Sequence, residues 1–330
     1  MIYFAALPIF FLYFILFFSI AKKINLIDKP NFRKKHFGDI PIIGGLIIFS
    51  SFYTLELFFK FIPNDLIYVF IGSIPVLIIS FLDDIRHRHW SLRIIVQIAS
   101  SIFIILFSGI QVNMLGSFLF LDSITINSSS SLFTIFCIVG LTNAINMFDG
   151  IDGLCSSYLI LGLGALLLFA VSPGINTSMI IVMMLLIFFF CIPNLSSSKY
   201  KIFLGDAGSM PLGFIFGWLL VYFSQLPENG VKPELIVWIA AIPIIDSLRV
   251  MFVRSKENRS VFSADRTHLH HLLLDLNFSQ KLTLVIIFSL NAILILIALL
   301  ISIFDKLSLS YLFFMLWIVF YFYLIKRIKE

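Results

Sequence analysis

Leu282-Thr-Leu-Val-Ile-Ile-Phe-Ser-Leu-Asn-Ala-Ile-Leu-Ile-Leu-Ile-Ala-Leu-Leu-Ile-Ser-Ile303 runs without a charged residue. That length decides the fold class, since crossing a hydrocarbon core of about 30 Å takes roughly 20 apolar helical residues. Working outward from it, similar runs lie at about 1–21, 42–60, 66–82, 93–108, 132–147, 154–171, 178–193, 211–225, 234–249 and 309–325. The chain has 330 residues, 60% of them apolar and 12% charged, against roughly 25% charged in a soluble globular protein. A soluble fold is excluded. The sequence predicts an all-α polytopic membrane protein of about eleven transmembrane helices. Two runs, 93–108 and 234–249, are short and carry Gln97 and Asp246, so ten is the alternative count.

Lys and Arg in short loops mark the cytoplasmic side. With the N-terminus outside (periplasmic) and the C-terminus cytoplasmic, all of the 23 Lys and Arg except Lys60, Lys232 and Lys306 fall on the inner face. A single missed helix would invert every later loop and destroy that bias. The first apolar run starts at Met1 with no basic segment before it and no small-residue cleavage site before Lys22, so no cleaved signal peptide is expected. Cys137, Cys155 and Cys191 fall in or beside apolar runs and read as small buried side chains, not as a disulfide or metal framework.

The outer loops carry little chemistry. The longest, 109–131, alternates apolar residues around Gly116 and predicts a small hairpin. The inner loops hold all six histidines (His36, His87, His89, His268, His270 and His271) and most of the 18 carboxylates. No internal repeat stands out, and the acids lie at inner span ends rather than span centres, which weakens an ion-coupled transporter as the alternative.

Asp28-Lys-Pro-Asn-Phe-Arg-Lys-Lys-His-Phe-Gly-Asp-Ile-Pro-Ile-Ile-Gly-Gly45 is either a positive-inside anchor near anionic lipid or a basic pad for a phosphorylated substrate, with Pro41, Gly44 and Gly45 allowing close backbone approach. Phe81-Leu-Asp-Asp-Ile-Arg-His-Arg-His-Trp-Ser-Leu-Arg93 puts Asp83 and Asp84 where an apolar run meets the cytosol. Ionisable groups there are costly, and adjacent acids need a cation, a shared proton or bases such as Arg86, Arg88 and Arg93. In Thr142-Asn-Ala-Ile-Asn-Met-Phe-Asp-Gly-Ile-Asp-Gly-Leu154, the residues Asn143, Asn146, Asp149 and Asp152 recur every third position. Oxygens at that density suit Mg²⁺, Gly150 and Gly153 indicate a bent or closely approached backbone, and a capped turn is the plainer alternative. In Lys201-Ile-Phe-Leu-Gly-Asp-Ala-Gly-Ser-Met210, Asp206 is either an N-cap acid or a metal ligand. Arg259-Ser-Val-Phe-Ser-Ala-Asp-Arg-Thr-His-Leu-His-His-Leu272 fits phosphate binding better than a structural network or zinc.

Phe81-Leu-Asp-Asp84, Asn143-Ala-Ile-Asn-Met-Phe-Asp-Gly-Ile-Asp-Gly-Leu154, Phe203-Leu-Gly-Asp-Ala-Gly-Ser209 and Asp265-Arg-Thr-His-Leu-His-His271 together resemble the polyprenyl-phosphate N-acetylhexosamine-1-phosphate transferases, of the glycosyltransferase family 4 type. The four motifs stand in the family's order. The resemblance implies transfer of a sugar 1-phosphate from a UDP-sugar to undecaprenyl phosphate, releasing UMP. The His-Leu-His-His form looks like the bacterial enzymes that use GlcNAc and start O-antigen, common-antigen or teichoic-acid synthesis. Leu272-Leu-Leu274 after the histidines speaks against the branch that transfers phospho-muramoyl-pentapeptide, which stays the alternative beside other UDP-N-acetylhexosamines.

By motif position the resemblance implies that Asn146 and Asp206 hold Mg²⁺, with Mn²⁺ as a substitute. Asp83 or Asp84 deprotonates or orients the lipid phosphate and Arg93 contacts phosphate. Asp149 and Asp152 lie with the nucleotide, Asn143 is a further substrate-binding residue, and Arg266, His268, His270 and His271 grip the diphosphate or sugar. It also implies one transmembrane transferase domain over 1–330 in the inner membrane, with its site in the cytoplasmic loops at about 22–41, 83–92, 143–153, 194–210 and 250–281. The partners it implies are the donor, the lipid acceptor and the membrane but no nucleic acid, and a homodimer is allowed for. Leu269 stands where relatives often have Ile, and Met210-Pro-Leu212 is expected to place Pro211 in a first helical turn, where no backbone donor is lost.

Overall fold

The apolar runs become helices because in lipid a helix satisfies its own backbone groups. The structure, a computed structural model, describes residues 1–29, 38–86, 88–170, 176–226, 230–258 and 267–329. In chain order the helices are α1 (Ile2–Ile20), α2 (Gly44–Phe59), α3 (Ile67–Ile85), α4 (Trp90–Ser108), α5 (Ser130–Phe148), α6 (Leu154–Phe169), α7 (Ser178–Leu195), α8 (Asp206–Ser224), α9 (Pro233–Ile239), α10 (Ala241–Lys256), α11 (Leu269–Asp275), α12 (Gln280–Ile303) and α13 (Ser310–Lys329). Strands β1 (Ile27–Asp28) and β2 (Ile40–Pro41) pair antiparallel, as do β3 (Met114–Phe118) and β4 (Leu121–Thr125).

Among the described residues eight helices are long and apolar enough to cross a membrane, or nine if the α9–α10 pair is one span. Each apolar run of the sequence is met by a helix or, at 234–249, by that pair. The most apolar windows of α1 and of the helix ending the chain are only 11% and 17% buried, leaving most of their apolar surface to face lipid.

The α9–α10 pair bends by 68°. Pro243 lies four residues after Ile239 and has no N–H to give its carbonyl. That carbonyl accepts the Tyr158 hydroxyl instead, at 3.1 Å. A proline and a tyrosine from α6 thus break one apolar run into two helices.

The chain forms two compact units. The first comprises Met1–Gly109 and Pro173–Trp218. Within it α1 packs on α2 and α7, and α3 on α4. The Phe52 ring stacks on Phe70 at 5.0 Å between centroids. The segment after β2 runs beside the approach to α8: Phe203 N donates to Pro41 O (2.8 Å), Gly44 N to Phe203 O (2.9 Å) and Gly45 N to Leu204 O (2.9 Å). The close approach expected at Gly44 and Gly45 is therefore real, but the backbone admitted is the chain's own. A Cβ on Gly45 would collide with Ala207 and Gly208.

The second unit comprises Ile110–Ser172 and Leu219–Glu330. There α5 packs on α10, and α12 on α6 and α9. The expected hairpin is β3–β4, with Gly116 at φ +82° opposite Ile124. Ser117 donates from both N and Oγ to Glu234 Oε1 (2.5 and 2.7 Å), and Asn113 N and Met114 N donate to Gln225 Oε1 (2.9 Å each). The helix α8 starts at Asp206, five residues before the expected span at 211, so Pro211 lies beyond the first turn and the Ala207 carbonyl loses its helical donor.

Replacing Gly45 by Val is expected to lower stability by about 1–3 kcal/mol through overpacking, read as a fall in Tm in detergent. Gly140→Ala, where a Cβ meets open space, serves as the control. Equal melting of both variants and the wild type would contradict the packing described.

Candidate active site

In the first unit, Asp83 and Asp84 occupy the last turn of α3, where the helix dipole disfavours negative charge. Each finds donors elsewhere. Asp83 accepts from Arg88 N at 2.5 Å through Oδ1 and from Arg93 Nη1 at 2.9 Å through Oδ2. The same Nη1 donates to Asp206 Oδ2 at 2.9 Å, so one guanidinium nitrogen joins the acids of two motifs. Of the three arginines considered as counter-charge, Arg93 supplies it and Arg88 contributes its backbone amide. Arg93 Nε is buried and has no hydrogen-bond partner among the described residues.

Asp84 acts differently. Asp206 N donates to its Oδ1 and Ala207 N to its Oδ2, both at 2.9 Å. These are the first two amides of α8, so Asp84 caps a helix 122 residues away in sequence. The Asp206 carboxylate meets Arg93 through Oδ2. Gly205 makes the turn at φ +75°, and a Cβ there would meet Ile42 and the Asp84 carboxylate.

In this unit three carboxylates share one hydrogen-bonded cluster. Among the described residues no three acidic, histidine or cysteine side chains are grouped to hold an ion by themselves. Mg²⁺ commonly uses one or two protein carboxylates and completes its shell with water and substrate phosphate, so the residues present fit it.

In the second unit, Asn143 and Asn146 lie in the last turns of α5, and Asn143 Nδ2 donates back to Val139 O at 2.8 Å. The helix ends at Phe148, Asp149 N bonds Asn146 O at 3.2 Å, and Gly153 turns the chain into α6 at φ +77°. The three-residue spacing is thus helical for the two asparagines and carried by a turn for Asp149 and Asp152. Gly150 is needed for contact: a Cβ there would strike the buried His270 ring. His268 and His270 have parallel rings, 5.9 Å apart and 3° from coplanar orientation, and His270 lies 4.2 Å from His271. The loop at Gly150 and the histidines at α11 are brought together. Arg266 lies outside the described residues, as do His36, His87 and the basic Arg33, Lys34 and Lys35.

Sequence reasoning missed the residue that organises these histidines. Asp246 of α10, 1% exposed, accepts from His268 Nδ1 (2.8 Å), Arg249 Nη2 (2.7 Å), Tyr321 Oη (2.9 Å) and Leu269 N (3.2 Å). Its signal was present, an acid inside an apolar run. Tyr321 had none, being one more aromatic in an apolar helix.

A sequence profile described as Glycosyl transferase family 4 matches residues 66–224. The undecaprenyl-phosphate alpha-N-acetylglucosaminyl 1-phosphate transferase of Escherichia coli O157:H7 is 32% identical over 280 residues, covering 82% of this chain and 76% of its own. The proteins of the same name from Yersinia pestis and Haemophilus influenzae (strain ATCC 51907 / DSM 11121 / KW20 / Rd) are 30% and 31% identical, covering 82% and 86% of this chain and 75% and 81% of their own.

Because Asp84 caps α8, Asp84→Ala is expected to cost about 0.5–2 kcal/mol of stability, seen as a lower Tm in detergent. An unchanged Tm would show that the two amides find other acceptors and that the cap is dispensable.

Proposed function

This chain belongs to glycosyl transferase family 4, and we propose that it transfers GlcNAc 1-phosphate from UDP-GlcNAc to undecaprenyl phosphate, giving undecaprenyl-diphosphate-GlcNAc and UMP. The observation that carries this reading is similarity over most of the chain to transferases bearing that name. The product would start a cell-surface polysaccharide. We place the enzyme in the bacterial inner membrane with the reaction at its cytoplasmic side, where a soluble nucleotide and a lipid headgroup can meet.

We read eleven spans; the bent α9–α10 pair and the shorter apolar helices α2 and α6, beside the eight long apolar helices among the described residues, support that count. With an odd count the termini lie on opposite sides, and the charge bias puts the N-terminus outside and the C-terminus in the cytosol.

In the proposed reaction an oxygen of the lipid phosphate bonds to the sugar-bearing phosphorus of the donor, and the bond from that phosphorus to the UMP oxygen breaks. Both partners are anions, so the protein's task is to position them and to offset charge. Arg93 does this in the first unit by holding Asp83 and Asp206 together and offsetting their charge. We assign the acceptor phosphate to Asp83 or Asp84; Asp83 is held by a guanidinium and a loop amide, and Asp84 by the first two amides of α8, which also fixes Asp206. Mg²⁺, when bound, would polarise the donor diphosphate and stabilise the leaving UMP, and Asp206 is the first unit's ligand for it. In the second unit we assign Asn143, Asp149 and Asp152 to the nucleotide, and Arg266, His268, His270 and His271 to the diphosphate or sugar.

Purified protein given UDP-GlcNAc and undecaprenyl phosphate is expected to form the lipid-linked sugar. Chelation should abolish turnover and added Mg²⁺ restore it. Asp206→Ala should lower the rate by at least about 100-fold, the scale of losing a charge-stabilising contact. Full activity in chelator, or in Asp206→Ala, would remove the metal assignment.

A further inference from the structure

Asp246 lies within an apolar helix and is almost wholly buried. A buried ion pair there contributes little to stability over a well-packed apolar pair, so its presence asks for another reason. Arg249 supplies the charge, through Nη2 at 2.7 Å and Nε at 3.2 Å, and is itself tied to Thr267 O at 2.5 Å. With the charge offset, the remaining acceptor capacity of Asp246 goes to the entry of α11. His268 Nδ1 is 2.8 Å from Oδ2, and Leu269 N lies 3.2 Å from both oxygens. The Tyr321 hydroxyl, from α13, donates to Oδ1 at 2.9 Å.

Two consequences follow. A carboxylate at Nδ1 keeps a proton on that nitrogen, so in the neutral ring Nε2 is the unprotonated nitrogen. His268 Nε2 has no hydrogen-bond partner among the described residues. The ring orientation is also passed on, since His268 stacks parallel to His270, and His270 fills the space that Gly150 leaves open.

We propose that Asp246 is a positioning residue for the transfer reaction: buttressed by Tyr321 and Arg249, it fixes the tautomer and plane of His268 and so presents Nε2 to the phosphate-bearing substrate. The inference rests on the transfer reading above. It also gives α13 a role in the chemistry, delivered through a single hydroxyl.

The test is a double-mutant cycle on initial rates, with Tm recorded for every variant. Asp246→Asn keeps the shape but offers an amide N–H or a single carbonyl oxygen, so it no longer enforces the tautomer. Its kcat/KM is expected to fall about 10- to 100-fold, the range for losing the partner that orients a functional histidine. In a His268→Asn background the same change should alter the rate by less than about twofold, because coupled residues, unlike independent ones, do not add. Tyr321→Phe should cost about 2- to 10-fold alone, one hydrogen bond's worth, and nothing further beside His268→Asn. It carries the test if Asp246→Asn does not fold. Losses that multiply in the double variants, or Asp246→Asn and Tyr321→Phe proteins with wild-type rates, would overturn the proposal and leave the functional reading standing. A folded wild-type protein without transfer activity would overturn both.

Discussion

A carboxylate at the end of an apolar helix has little water to lean on, and the first unit is arranged around meeting that need. Asp83 and Asp84 are adjacent in sequence but are satisfied by different means, one by a guanidinium and the other by backbone amides. Removing either set of donors leaves an uncompensated charge, which is far more costly than the modest net gain of the intact contact. The same contacts that make the acids tolerable also set geometry. Asp84 fixes where α8 begins, Gly205 and Gly45 allow the close approach, and Arg93 then finds Asp206 beside Asp83.

The second unit solves the same problem with Asp246, drawing donors from α10, α11 and α13. There the bent α9–α10 pair matters. The break after Ile239, stabilised by Tyr158, separates the segment carrying Glu234 and its hairpin contacts from the segment carrying Asp246 and Arg249. In both units a partly or wholly buried acid gathers elements distant in sequence, and in both a glycine allows a close approach.

Helix positions were legible from the sequence because span length in lipid is set by a physical thickness, and apolar runs of that length have few other uses. The hairpin at Gly116 was legible from alternation. The motif residues Asp83, Arg93 and Asp206 were legible as a set only through the family resemblance, and the structure joins them through one nitrogen. What was not legible depends on contacts across long separations. Local spacing could not reveal that the first amides of α8 are held by Asp84, 122 residues earlier. Gly44 and Gly45 were read as open to substrate because a glycine reports close approach without naming what approaches. Tyr321 had no local signal, since its hydroxyl gains meaning only beside Asp246.

The central claim is that the bond broken lies between the two phosphorus atoms of the donor, and the released nucleotide reports this directly. Chromatography of the soluble products after turnover with UDP-GlcNAc and undecaprenyl phosphate should show UMP in a one-to-one ratio with the lipid product. Release of UDP, which would mean that the sugar moves without its phosphate, would contradict the account.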